Sequence, residues 1–214
     1  MKRKVLFILL PILLILTTSA VFYSMSVIIG KYEGYLIGFL FYWIFWCLTI
    51  PLFITKKPIS TFFKDENPLF IKKNWWIIIL FLSTIIAPVF MYFLPNLFSK
   101  PVLLLLLSIP FAIIHGFSEE LFWRGFYIKE FPDNVVWGII IPTIFFSVWH
   151  ISPQFSIKDD NVILFLISTV PLGLTYGMVA FVTKSAKWSA IGHSISGIFA
   201  YSGLLSTSLY NILQ

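Results

Sequence analysis

Long apolar stretches alternate with short charged ones along the whole chain. Asp, Glu, Lys and Arg are missing from residues 5–30, 34–55, 74–99, 101–118, 134–157, 161–183 and 188–214. A helix needs about 20 apolar residues to cross the hydrocarbon of a bilayer. The pattern therefore predicts an all-α polytopic fold with seven transmembrane helices. The fourth stretch is the shortest. It runs directly into HGFSEELFWRGFY, residues 115–127, where a histidine, two adjacent glutamates and an arginine stand between apolar neighbours. The longest charged connection is KKPISTFFKDENPLFIKK, residues 56–73, and its phenylalanines predict that it lies against the membrane surface. Gly34 and Gly38, four apart, allow close helix packing.

Composition points to the same solvent. Apolar residues make up 59% of the 214 and charged residues 11%, against about 25% charged in soluble domains. The expectation is a multi-pass protein of the cell membrane, with the lipid bilayer as its constant partner. The start, MKRKVLFILLPILLILTTSA, imitates a secretory signal ending at Ala20. The apolar run continues to Gly30, however, and predicts a retained first helix. Cys47 is alone, which excludes an internal disulfide.

The net charge of +6 is unevenly placed. With the N-terminus in the cytoplasm, 12 of the 15 Lys and Arg residues fall on the cytoplasmic side: residues 2–4, 56, 57, 64, 72, 73, 124, 129, 184 and 187. Only Lys31, Lys100 and Lys158 fall on the other. The positive-inside rule then predicts N-in and C-out. No basic patch is left over to call for a nucleic acid.

Residues 1–99 read as three helices and a basic loop with no ionisable group inside a span. Residues 100–214 hold all three histidines and the Glu pair. Ionisable groups inside a span are costly and mark function by default. On a helix Glu120 and Arg124 share a face, so Arg124 neutralises one carboxylate. Glu119 points about 100° away and is left free for general-base work. His150 and His193 lie on two further hydrophobic segments. With Glu119 they suit activation of water and stabilisation of an oxyanion, or binding of a zinc ion with an open position. His115 shares the face of Glu119 and reads as a third site histidine, a partner of Glu119 or a packing residue. No HExxH, GxSxG or nucleotide-binding loop is present. Helix rise lets Glu119, His150 and His193 meet only if residues 124–134 project beyond the membrane, which predicts a wet, cytoplasm-facing cavity among helices four, five and seven.

EELFWR at 119–124 fits EExxxR, FSVWH at 146–150 fits FxxxH, and His193 stands where a third motif places its histidine. Together these resemble the CAAX protease and bacteriocin-processing family, also called Abi, over about residues 100–210. The resemblance implies a polytopic intramembrane endopeptidase. Glu119 would activate water, His150 and His193 would polarise the scissile carbonyl, Glu120 and Arg124 would organise the site, and Phe146 would pack beside it. The family has been described both as glutamate-type and as metallo-type, so the implied cofactor is none or zinc, with Glu119, His150 and His193 as candidate ligands. The implied partner is a peptide or protein, lipidated or a bacteriocin or leader peptide. One position departs: the third motif is similar to HxxxN or HxxxD, and here the fourth residue is Gly197. That departure keeps open a catalytically weak scaffold or immunity protein that binds a peptide or membrane protein. A proton-coupled transporter is the third reading, disfavoured by the lack of paired halves.

Overall fold

The computed structural model describes residues 2–214, all of them in helices, turns or loops. Among the described residues, six helices are long and apolar enough to cross a membrane: α1 (Lys2–Ile29), α2 (Lys31–Thr55), α3 (Lys72–Asn96), α4 (Val102–Glu130), α5 (Val136–Phe155) and α6 (Val162–Thr183). Two shorter helices follow, α7 (Lys187–Phe199) and α8 (Leu204–Leu213). The last apolar stretch, expected as one helix, is thus divided. Tyr201, Ser202 and Gly203 all have left-handed backbone torsions, which an α-helix of L-residues does not tolerate in its interior. The break is held from outside, because the Ser202 hydroxyl donates to the Ser108 carbonyl of α4 (2.7 Å).

Apolar side chains on the outer surface, such as Phe90, Phe98, Leu106 and Ile163, are exposed, as expected where lipid replaces water. The interior is aromatic. Phe7 of α1, Phe39, Tyr42 and Trp43 of α2, Phe122, Trp123, Phe126 and Tyr127 of α4, and Phe146 and Trp149 of α5 form one buried cluster. Aromatic pairs favour tilted and edge-on contacts, and Phe7 makes three: with Phe126, Tyr127 and Phe131. The Tyr127 hydroxyl donates to the Phe7 carbonyl (3.0 Å), which pins α1 to α4. Gly34 and Gly38 bring α2 against Ser26 and Phe22 of α1, where any added Cβ would collide.

The 56–73 connection does more than rest on a surface. Phe62 is fully buried against Gly125 and Ala186. The backbone of Glu66 donates to the Thr183 carbonyl (2.9 Å), and the Glu66 carboxylate pairs with Lys129 (2.7 Å). The loop therefore closes the end of the bundle where α4, α6 and α7 meet, the same end that carries most of the basic residues.

Candidate active site

Three helices bring the polar groups together. Glu119, Glu120, Arg124 and His115 come from α4, His193 from α7 and His150 from the end of α5. The approach of α7 to α4 depends on small residues: a Cβ on Gly116 would lie 2.5 Å from the Ser194 hydroxyl and 2.8 Å from its backbone nitrogen. This contact sets His193 beside the Glu pair. Immediately after that pair, α4 widens into a π-helical stretch, Leu121–Phe126. Such turns recur at functional sites, and this one carries Arg124 inward.

The two carboxylates are fully buried and differently held. Glu120 Oε1 lies 3.0 Å from Arg124 Nη1 and 3.1 Å from His193 Nδ1. A carboxylate only accepts, so His193 carries its proton on Nδ1. The Arg124 pair is close but poorly aligned, since Nη1 makes no formed hydrogen bond. Arg124 is further fixed by the Gly173 carbonyl (3.4 Å) and by the Phe146 ring, 4.4 Å beneath its guanidinium. Glu119 Oε1 accepts from the Tyr42 hydroxyl (2.9 Å). Its Oε2 has no formed hydrogen bond and faces two imidazole nitrogens, His115 Nε2 at 3.3 Å and His193 Nε2 at 3.7 Å.

His150 is placed differently from the metal set expected above. Its Nδ1 lies 2.8 Å from the Phe146 carbonyl and must donate to it. Among the described residues, the group whose ligand atoms lie within 4.8 Å of one another is His115, Glu119 and His193, without His150. Two imidazoles and one carboxylate form a donor set used by catalytic zinc. The orphaned Glu119 Oε2 and the His193 Nδ1–Glu120 bond, a usual outer support of a ligating histidine, fit that role.

His115, His150 and His193 line one cavity of about 280 Å³, together with Tyr35, Trp149, Gln154, Gly197 and Gly203. The lining reaches Asp159 on the α5–α6 connection. By the alternation of spans, that connection lies on the Lys31 and Lys158 side, opposite the N-terminus; the Ser156 hydroxyl indeed donates to the Lys31 carbonyl (2.8 Å). In depth the cluster lies toward the basic end: at about 1.5 Å per residue, Glu119 is roughly 17 Å from the Glu130 end of α4 and roughly 26 Å from its Val102 end.

Sequence reasoning missed the second layer. Tyr42 and Trp43 of α2, in a stretch read as devoid of chemistry, contact Glu119 and His115 directly: Trp43 Nε1 donates to His115 Nδ1 (3.1 Å). Trp123 Nε1 in turn donates to the Tyr42 hydroxyl (2.7 Å), and Trp149 stacks on the Tyr42 ring. No charge or periodicity distinguishes these aromatics from lipid-facing ones.

Gly197 also finds a reason. A Cβ there would lie 3.0 Å from Ala112 Cβ, tighter than side chains ordinarily pack. Gly197→Asn alone is expected to lower stability by about 1–3 kcal/mol, the usual cost of overpacking. Adding Ala112→Gly should recover part of that loss, as measured by thermal unfolding in detergent. Full stability of Gly197→Asn without the second change would show that the contact yields freely.

Residues 101–199 match the model of the family described as Type II CAAX prenyl endopeptidase Rce1-like. No curated protein and no solved structure matches the chain.

Proposed function

We propose that this chain, whose residues 101–199 belong to the Rce1-like CAAX endopeptidase family, cuts a peptide bond with water activated at Glu119. The observation that carries this reading is the state of that carboxylate: fully buried, gripped on Oε1 by Tyr42, and open on Oε2 toward two imidazoles beside the cavity. Water in the cavity gives a proton to Oε2, and its oxygen bonds to the scissile carbonyl carbon. The carbonyl oxygen becomes an oxyanion. His193 and His150 donate Nδ1–H hydrogen bonds to Glu120 and the Phe146 carbonyl, so each keeps Nε2 as its free nitrogen. The proton on Glu119 passes to His193 Nε2, 3.7 Å away. The resulting imidazolium is a donor to the oxyanion, of the kind that stabilises such charge best in a buried site. When the C–N bond breaks, the same proton leaves on the amine. Glu120 and Arg124 hold His193 in place, and Phe146 orients both Arg124 and His150.

By distance alone, His115, His193 and Glu119 are the group that would hold zinc, which would supply Lewis-acid polarisation of the water or the carbonyl. The substrate is a peptide or protein segment at the membrane. The family description makes a prenylated CAAX terminus the first to try, and a bacteriocin or leader peptide the second. Purified protein in detergent should cut an internally quenched peptide ending in a farnesylated CAAX sequence, or a leader peptide, at one bond identified by mass spectrometry. Failure to cut either set under reducing conditions, with and without added zinc, would favour the binding scaffold.

The uneven placing of basic residues supports an N-in arrangement in which α7 and α8 together make the seventh crossing and the C-terminus lies outside. The cavity mouth then opens on the outer face. Asp159→Cys in a Cys47→Ala background should react with a membrane-impermeant maleimide in intact cells. Labelling only after the cells are opened would reverse the orientation.

A further inference from the structure

His115 lies outside the three motifs, yet it touches Glu119. Its role turns on which ring nitrogen carries the proton. The Trp43 indole N–H is a donor and nothing else, and it lies 3.1 Å from His115 Nδ1. Nδ1 must therefore accept. In a neutral imidazole one nitrogen donates and the other accepts, so the proton sits on Nε2. That nitrogen lies 3.3 Å from Glu119 Oε2, close but not aligned into a formed hydrogen bond. A metal ligand must present a lone pair, and His115 Nε2 in this state has none. His193 is the opposite case, with Nδ1 protonated toward Glu120 and Nε2 free. Two histidines at the same carboxylate oxygen are thus set in opposite tautomers by different partners. Reversing His115 would bring two N–H groups face to face at 3.1 Å. Its ring is also confined, edge-on to Phe39 (5.4 Å) and to His193 (5.3 Å).

We infer that Trp43 is a positioning residue that keeps the His115 proton on Nε2, so that His115 turns an N–H dipole toward Glu119 and not a metal-binding lone pair. The distances alone suit zinc; the hydrogen bonding selects against it. The N–H dipole, 3.3 Å from Oε2, steadies the charged carboxylate before it takes a proton from water. It also makes His193 Nε2 the one unprotonated imidazole nitrogen at Oε2, which gives the proton a single direction of travel. The inference rests on the role proposed for Glu119, but two of its tests do not require cleavage.

The first is nitrogen NMR of the full-length protein in micelles with labelled histidine. The chain has three histidines, and one should appear as the Nε2–H tautomer and two as Nδ1–H. The Nε2–H signal should vanish in His115→Gln and shift toward Nδ1–H in Trp43→Phe. The second is bound zinc, measured by mass spectrometry after equilibration at limiting free zinc. Trp43→Phe should bind about tenfold more tightly than the parent, the factor that one lost hydrogen bond of ordinary net worth produces. The third is kinetic, with the farnesylated peptide. His115→Ala should lose about 10²-fold in kcat at unchanged KM, the scale of one missing donor. His115→Gln, whose amide nitrogen can replace Nε2–H, should restore kcat to within about tenfold of the parent. An Nδ1–H tautomer for His115 in the parent would overturn the inference. So would tight zinc in the parent that His115→Gln removes together with activity. A parent that cuts no peptide would sink the functional reading, while the NMR and zinc results would still decide the role of Trp43.

Discussion

Glu119→Gln is expected to lower peptide cleavage by about 10²–10⁴-fold, the usual contribution of a general base, with the protein still folded. Glutamine keeps the shape of the side chain and an oxygen for the Tyr42 hydroxyl, which now donates to Oε1 at 2.9 Å. It cannot take a proton from water. Removing the charge also spares the membrane interior an ionisable group with no formed hydrogen bond on Oε2, so stability should hold or rise. The two effects are separable in one protein. Cys47 is the only cysteine and is buried, so a thiol-reactive dye added during heating reports unfolding in the same sample used for the cleavage assay. Full activity in Glu119→Gln would remove the carboxylate from the chemistry. A large drop in the unfolding temperature would make it structural.

Glu120→Gln should do the reverse and unfold the protein before its chemistry can be read. Glu120 is fully buried and Arg124 almost so, and breaking a buried pair by removing one partner costs roughly 3–5 kcal/mol, because the other charge is left uncompensated. Arg124 would keep the Gly173 carbonyl and the Phe146 and Tyr176 rings. Arg124→Met combined with Glu120→Gln should regain much of the stability, because the two residues act as one unit. Activity should stay low in the double variant, since the amide oxygen at 120 no longer holds the His193 Nδ1–H as a carboxylate does. The Cys47 dye melt and the peptide assay check both parts. Equal melting temperatures for Glu120→Gln and the double variant would show that the buried charge is not what destabilises the single change.

The contrast between adjacent glutamates was readable before any coordinates, because helical spacing gives only Glu120 the partner Arg124. The apolar stretches likewise announced six of the spans, since a bilayer demands length and composition that a sequence displays directly. The motifs also singled out Glu119, His150 and His193, which lie on α4, α5 and α7. The tertiary structure decided what depends on contacts between distant segments. Tyr42 and Trp43 are apolar-run aromatics by sequence, and only the packing of α2 on α4 makes them partners of Glu119 and His115. The group whose ligand atoms lie together holds His115 in place of His150, because His115 and His193 both reach Glu119 Oε2 while the Phe146 carbonyl holds His150 Nδ1. The last apolar stretch has the composition of a span but breaks at 201–203, where Ser202 bonds to α4. Phe62, a loop residue by sequence, is buried against Gly125 at the basic end of the bundle. Hydropathy and spacing are properties of a segment and its own helix; a hydrogen-bond partner, a tautomer and a cavity mouth exist only once helices from different parts of the chain have met.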